Sequence, residues 1–239
     1  SLRRFAPELA DAIAVVGYPG GTGAVDDVAC RAASIVVAYG SNAAVDAIQR
    51  RCTFPTRFIG YGHRVSFGVI GPSDGAAGLS HLSALARDIA LDVAAYDQRG
   101  CMSPHCLFVA RSAPYAAEAI AEAVAADGLP QVASWLPRGR LPAATQAAVV
   151  QARGVAEFSG RAIESEQGWV LLHDDLAFRP SPGGRTLHVM PYDDADALVD
   201  VLAPLRGAIS TVGLRYASRT RNAFILALGR LGARRICRL

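Results

Sequence analysis

The 239-residue sequence contains no lysine, so all 24 of its Lys/Arg positions are arginine. Schiff-base and lysine-nucleophile chemistry are therefore excluded within these residues. There is no apolar run of the ~18–20 residues that a membrane span needs, although hydrophobic residues make up 51% of the chain and charged ones only 19%. Alanine supplies much of that excess. The opening "SLRRFAPELADAIAVVG" has an arginine pair but no long hydrophobic core and no clear cleavage site. It is not read as a signal peptide, and a cytoplasmic protein is expected. The five cysteines (Cys30, Cys52, Cys101, Cys106, Cys237) are odd in number and form no C-x-x-C pair, so neither a disulfide framework nor a zinc site is signalled. "HDD" at His173–Asp175 reads as a polar turn, and no metal is expected. A net charge of +3 with scattered arginines does not suggest nucleic acid. The terminal "GARRICRL" lacks interleaved aromatics and reads as a solvated helix or strand end.

What is present alternates. "AIAVVG" reads as a strand ending in the turn "GYPGGTG"; "AVDDVACRAA" reads as a helix and "SIVVAYG" as a second strand. "SNAAVDAIQRR" reads as a helix with Ser41 as its N-cap, and "TRFI" and "SFGVI" follow. Fully apolar strands alternating with helices imply an α/β fold with a parallel sheet covered on both faces. After a loop at "PSDGAAG", Leu79, Leu82, Leu85, Ala86, Ile89, Val93 and Tyr96 recur at helical spacing, which predicts an amphipathic helix that Gly100 stops. "CLFVA" reads as a strand, and Pro114 opens a helix to about Ala126. "PAATQAAVVQARG" reads as a helix, with strands at "WVLLH", "TLHVMPYDD" and "AISTVGLRY". Helices at "ADALVDVLAPLRG" and Arg221–Leu231 complete the pattern. The boundary is expected near residues 71–78 or at the end of the following helix, and the division taken is 1–75 and 76–239.

Cys101 follows Gly100 and precedes Ser103-Pro104, in a turn between that amphipathic helix and a strand. Such a turn can direct a thiol and its own backbone N–H into one cleft, where the N–H helps hold an oxyanion. A small buried thiol is the competing reading, and Cys106, inside an apolar strand, is assigned to it. "VAYGSNAAV" is a strand, a glycine turn and a capped helix start, which makes Gly40 and Ser41 a candidate phosphate site. "GYPGGTG" lacks the G-x-G-x-x-G spacing. His63 and Arg64, between two glycine-bearing strands, either contact an anionic cofactor or substrate or are satisfied loop residues.

"YGHRVSF", "YDQRGCMSPHCLFV", "STVGLRY" and "GARRIC" together resemble the acyl-CoA reductase branch of the aldehyde dehydrogenase superfamily. This branch is typified by the fatty-acid reductase component of bacterial bioluminescence. The most specific element is Asp-Gln-x-x-Cys-x-Ser-Pro around Cys101. The resemblance implies the second half of a dinucleotide-binding domain over 1–75 and a catalytic cysteine domain over 76–239. It further implies that Cys101 attacks an acyl-CoA or acyl-protein thioester. The acyl-enzyme then accepts hydride from NADPH (or NADH) and releases an aldehyde. Gly40 and Ser41 would lie near the cofactor pyrophosphate. Apart from the resemblance, His105 is a candidate to tune the thiol or contact substrate or cofactor, with a hydrogen-bonded loop histidine as the competing reading.

The departures are informative. In the Glu-Leu-Gly-Gly motif of hydrolytic aldehyde dehydrogenases the glutamate activates water, and the match to "IGYG" puts Ile59 in its place. A site without that base favours thioester reduction over aldehyde oxidation. "SPGGR" (Ser181–Arg185) is a weak counterpart of the ribose-contacting Glu-x-Phe-Gly-Pro segment. The family has further sequence ahead of Ser1 and beyond Leu239, so the chain reads as truncated at both ends, and the full-length protein is expected to be a homo-oligomer. Two competing readings are a non-catalytic fragment and a thioester hydrolase or acyltransferase that uses the same cysteine.

Overall fold

The computed structural model describes residues 2–73 and 79–239. It divides into two compact units, 1–63 and 64–239. The break precedes the boundary expected at residue 75, because the strand that begins at Val65 pairs with strands of the second unit. The expected loop "PSDGAAG" falls largely outside the described residues; its first two residues, Pro72 and Ser73, belong to that same strand.

Unit 1 holds short helices α1 (Leu2–Phe5) and α2 (Pro7–Asp11), then α3 (Gly23–Ala32), β1 (Ile35–Tyr39), α4 (Asn42–Gln49) and β2 (Arg57–Tyr61). β1 and β2 are parallel and in register from Ile35↔Arg57 to Tyr39↔Tyr61. "AIAVVG" is not a strand. Its residues pair with no other segment among the described residues, and Val15 is 94% exposed. Apolar content alone does not make a strand where backbone donors and acceptors lack a partner.

Unit 2 is a seven-stranded sheet in the order β5-β6-β7-β4-β3-β8-β9. Its strands are β3 (Val65–Ser73), β4 (Pro104–Ala110), β5 (Gly160–Ser165), β6 (Gly168–His173), β7 (Thr186–Tyr192), β8 (Ile209–Ala217) and β9 (Arg235–Arg238). All neighbours are parallel except β5 and β6. Helix α5 (Leu79–Ala94) buries Leu85, Ala86, Ile89, Ala90, Val93 and Ala94, one stripe at helical spacing, against Leu107, Val109 and Val189 of the sheet. Each large side chain on that stripe contributes ~1.5–3 kcal/mol by leaving water. Helices α6 (Ala117–Ala123), α7 (Leu129–Ala133) and α8 (Ala143–Ser159) follow. The wide π-type turn Val124–Gly128 that joins α6 to α7 brings Gly128 so close to α5 that a Cβ there would run into the Ala86 carbonyl oxygen.

On the other face, α9 (Ala195–Leu202) and α10 (Arg221–Arg230) cover Phe67, Phe108, Met190 and Val212, with Phe67 and Phe108 edge to face at 5.7 Å. Both faces of this sheet are thus covered, whereas in β1, one of the strands from which a covered sheet was expected, Ile35, Val37 and Tyr39 are exposed. The amphipathic helix is shorter than its periodicity predicts. It ends at Ala94, and Tyr96, expected on the buried stripe, is 83% exposed.

Candidate active site around Cys101

Ahead of Cys101 the chain turns left-handed: Tyr96, Asp97 and Gln98 have φ of 54°, 50° and 59°. Three consecutive non-glycine residues in this region are unusual, because each places its Cβ against backbone. Side chains fix the run. Asp97 Oδ1 accepts from Arg185 Nε at 2.7 Å, and Oδ2 accepts from the Gly139 N–H at 2.9 Å. Gln98 Nε2 donates to the Pro104 and Thr186 carbonyls at 3.0 and 2.9 Å, while its Oε1 accepts the Thr186 N–H at 2.6 Å. Gln98 thereby joins the start of β4 to the start of β7.

Cys101 itself is exposed and unpaired. Its carbonyl accepts from Ser66 Oγ at 2.7 Å, and that hydroxyl in turn accepts the Thr211 N–H at 3.1 Å. The turn closes through Ser103 N–H donating to the Gly100 carbonyl at 3.0 Å. The Cys101 N–H has no hydrogen-bond acceptor among the described residues, so it is available to an incoming oxyanion. Beside the turn lies a cavity of about 170 Å³, lined by Phe67, Asp92, Met102, Thr211, Arg235 and others. The turn precedes β4, so it sits at the N-terminal edge of the parallel strands.

The other candidates fall into place separately. Cys106 is the buried thiol it was read to be: burial pushes it up to about 12, against the opposing Arg179 backbone N–H and charge. His105 Nδ1 accepts the Ser181 N–H at 2.9 Å, which leaves the proton of the neutral ring on Nε2, and its ring packs near Phe178. Arg64 donates to the Gly207 carbonyl at 2.7 Å. In unit 1 the His63 N–H bonds Asn42 Oδ1 at 2.8 Å and the His63 side chain is exposed. Gly40 leads out of β1, with its N–H on the Tyr61 carbonyl, and Ser41 Oγ accepts the Ala44 N–H as the N-cap of α4. This exposed turn at the C-terminal end of a parallel strand, next to a helix start, suits a dinucleotide phosphate. No group of three or more metal-ligating side chains occurs among the described residues.

Sequence reading assigned no role to Asp97, Gln98, Arg185 or Ser66, though the Asp-Gln pair was already visible as part of a motif. His173 falls at the end of the strand expected at "WVLLH", and its partner was not foreseen. Asp174 and Asp175 form the expected bend; His173 ends β6, is 1% exposed, and holds His188 of β7 at 2.9 Å between Nε2 and Nδ1. Burial pushes His173 down to about 4 and His188 to about 3, with Arg179 adding to both.

The family model for acyl-CoA reductases (LuxC) matches residues 1–239. The chain belongs to that family. No curated protein matches it by sequence. Among solved structures it is similar to an NAD-dependent aldehyde dehydrogenase from Burkholderia multivorans, at 18% identity and a TM-score of 0.70, over 93% of this chain and 43% of that one. It is also similar to a gamma-glutamyl-gamma-aminobutyraldehyde dehydrogenase from Burkholderia cenocepacia J2315, at 17% and 0.65, over 91% and 48%. A third is an NADP-dependent glyceraldehyde-3-phosphate dehydrogenase from Bacillus halodurans C-125, solved with NADP, at 16% and 0.66, over 98% and 51%. These likenesses establish the aldehyde dehydrogenase fold. The chain spans about half the length of each. For an acyl-CoA reductase family member, the exposed thiol in a braced turn lies within the motif on which the resemblance was read.

Proposed function

We propose that Cys101 is the nucleophile of an acyl-thioester reductase, and that the intact protein converts an acyl-CoA or acyl-protein thioester to an aldehyde. The observation that carries this reading is the combination at one turn: an exposed thiol, a carbonyl fixed by Ser66, and an amide N–H without an acceptor among the described residues. The Cys101 sulfur forms a bond to the acyl carbon. The bond to the carrier sulfur breaks, and the carrier leaves as a thiolate that takes up a proton. The Cys101 N–H stabilises the oxyanion of the tetrahedral intermediate. When bound, NADPH (or NADH) supplies the hydride that takes the acyl group to the aldehyde level. Cys101 then leaves as a thiolate. Gly40 and Ser41, with the start of α4, are the residues that would hold the cofactor's phosphates. Ile59, in β2, offers no carboxylate to activate water, which supports reduction over hydrolysis. The reading includes a cytoplasmic, homo-oligomeric full-length protein without a nucleic-acid partner. No helix among the described residues is long and apolar enough to cross a membrane.

Intact-mass spectrometry after incubation with a long-chain acyl-CoA tests this. Wild type is expected to gain one acyl mass and Cys101→Ala none, and NADPH is expected to discharge the adduct as aldehyde. Discharge as free acid, or to a second thiol without nicotinamide, would make the protein a hydrolase or transferase. A folded wild type that never acylates would be an inert piece of the family.

A further inference from the structure

The Asp-Gln pair opens the motif around Cys101 and has no chemistry of its own in the mechanism above. Asp97 is the point where three segments meet: its own turn, the 138–140 loop through the Gly139 N–H, and the 183–185 turn through Arg185. Its backbone carbonyl also accepts the Gly184 N–H at 3.3 Å. Gln98 uses both ends of its amide on main-chain groups of Pro104 and Thr186. Arg185 is 1% exposed, has a φ of 61°, and spends Nη2 on the Leu136 carbonyl at 2.9 Å while Nη1 has no partner. A buried ion pair with one donor unsatisfied is a poor device for stability. Four left-handed non-glycine residues within one hydrogen-bonded cluster add backbone strain. Strain and desolvation concentrated three residues from the thiol mark a cluster that fixes geometry.

We propose that Asp97 and Gln98 are positioning residues that hold the Tyr96–Gln98 run left-handed, through Arg185 and Thr186, and so set the Cys101 thiol and its N–H toward one acyl carbonyl. The inference rests on Cys101 as the nucleophile. Acylation by a thioester needs thiol and N–H aligned, whereas alkylation by iodoacetamide needs only an exposed thiol. The ratio of the two rates therefore reports alignment rather than stability, and a purely structural residue would leave it unmoved in folded protein.

Both rates are to be measured on the Cys101-bearing peptide by mass spectrometry after quench and proteolysis, with an acyl-CoA and with iodoacetamide, in wild type, D97A, D97N, D97G and Q98A. Folding of each variant is checked by circular dichroism. The acylation-to-alkylation ratio is expected to fall about 100-fold in D97A and Q98A, the order of loss that a misplacement of about 1 Å produces. D97N is expected to stay within about tenfold of wild type, because asparagine tolerates the left-handed conformation and keeps an acceptor oxygen. If D97A does not fold, D97G removes the carboxylate without backbone strain, and its ratio is expected to fall as far. Ratios within threefold of wild type in the folded carboxylate-free and Q98A variants would overturn the positioning role while leaving Cys101 as the nucleophile. If wild type itself is alkylated but never acylated, the nucleophile reading fails and takes this one with it.

Discussion

The His173–His188 pair makes the stability of unit 2 depend steeply on acid. Both rings are buried and neutral in the folded protein, at about 4 and about 3, whereas an unfolded histidine titrates near ~6.5. As pH falls below that unfolded value, the unfolded state binds protons that the folded state refuses, so stability is lost with decreasing pH. At pH 5 linkage gives a loss of about 2 kcal/mol per histidine relative to pH 7, or about 4 kcal/mol for the pair. Against a typical total of ~5–15 kcal/mol, that loss is large. Both tryptophans, Trp135 and Trp169, lie in unit 2, so their fluorescence follows urea unfolding of that unit alone. Wild type is expected to lose about 4 kcal/mol more between pH 7 and pH 5 than the His173→Leu/His188→Leu double variant, whatever the variant's stability at pH 7. Equal losses in the two proteins would refute the reasoning, because they would mean that the pair takes up protons as readily folded as unfolded.

Two further outcomes follow from contacts near the core and the turn. Ser66→Ala leaves the Thr211 N–H and the Cys101 carbonyl without their shared partner, so a loss of about 1–3 kcal/mol in urea unfolding is expected together with slower acylation of Cys101. Gly128→Ala forces a Cβ into the Ala86 carbonyl and pushes α5 off the π-type turn. This overpacking is expected to cost about 1–3 kcal/mol, seen as a lower melting temperature.

The strands of the second unit were readable because central parallel strands are apolar on both faces, as in "CLFVA" and "TLHVM". β5 escaped detection for the opposite reason. It is an antiparallel edge strand, half exposed, and "GRAIES" carries two charged side chains at exposed positions. The end of α5 was misread because a left-handed run usually announces itself with glycine, and here Tyr96, Asp97 and Gln98 take that conformation with tertiary support. Ser41 as the cap of α4 was legible from a local rule, and the contact confirms it. The partners of Asp97 and Gln98 were not legible. Arg185 and Thr186 lie far along the chain, where β7 begins, and the parallel pairing of β4 with β7 brings them close. The histidine pair was hidden in the same way, joined across β6 and β7 by sheet register.

The segment Ala95–Ser103 spans from the end of α5 to the first residue of β4, and both of its abutments are rigid: a helix packed on the core and a strand paired on either side. A span fixed at both ends tolerates a change of material far better than a change of length. A residue added to or removed from this bridge has nowhere to be absorbed and must displace the thiol itself. Divergence along this bridge should therefore proceed by substitution, with insertions and deletions confined to loops elsewhere in the unit.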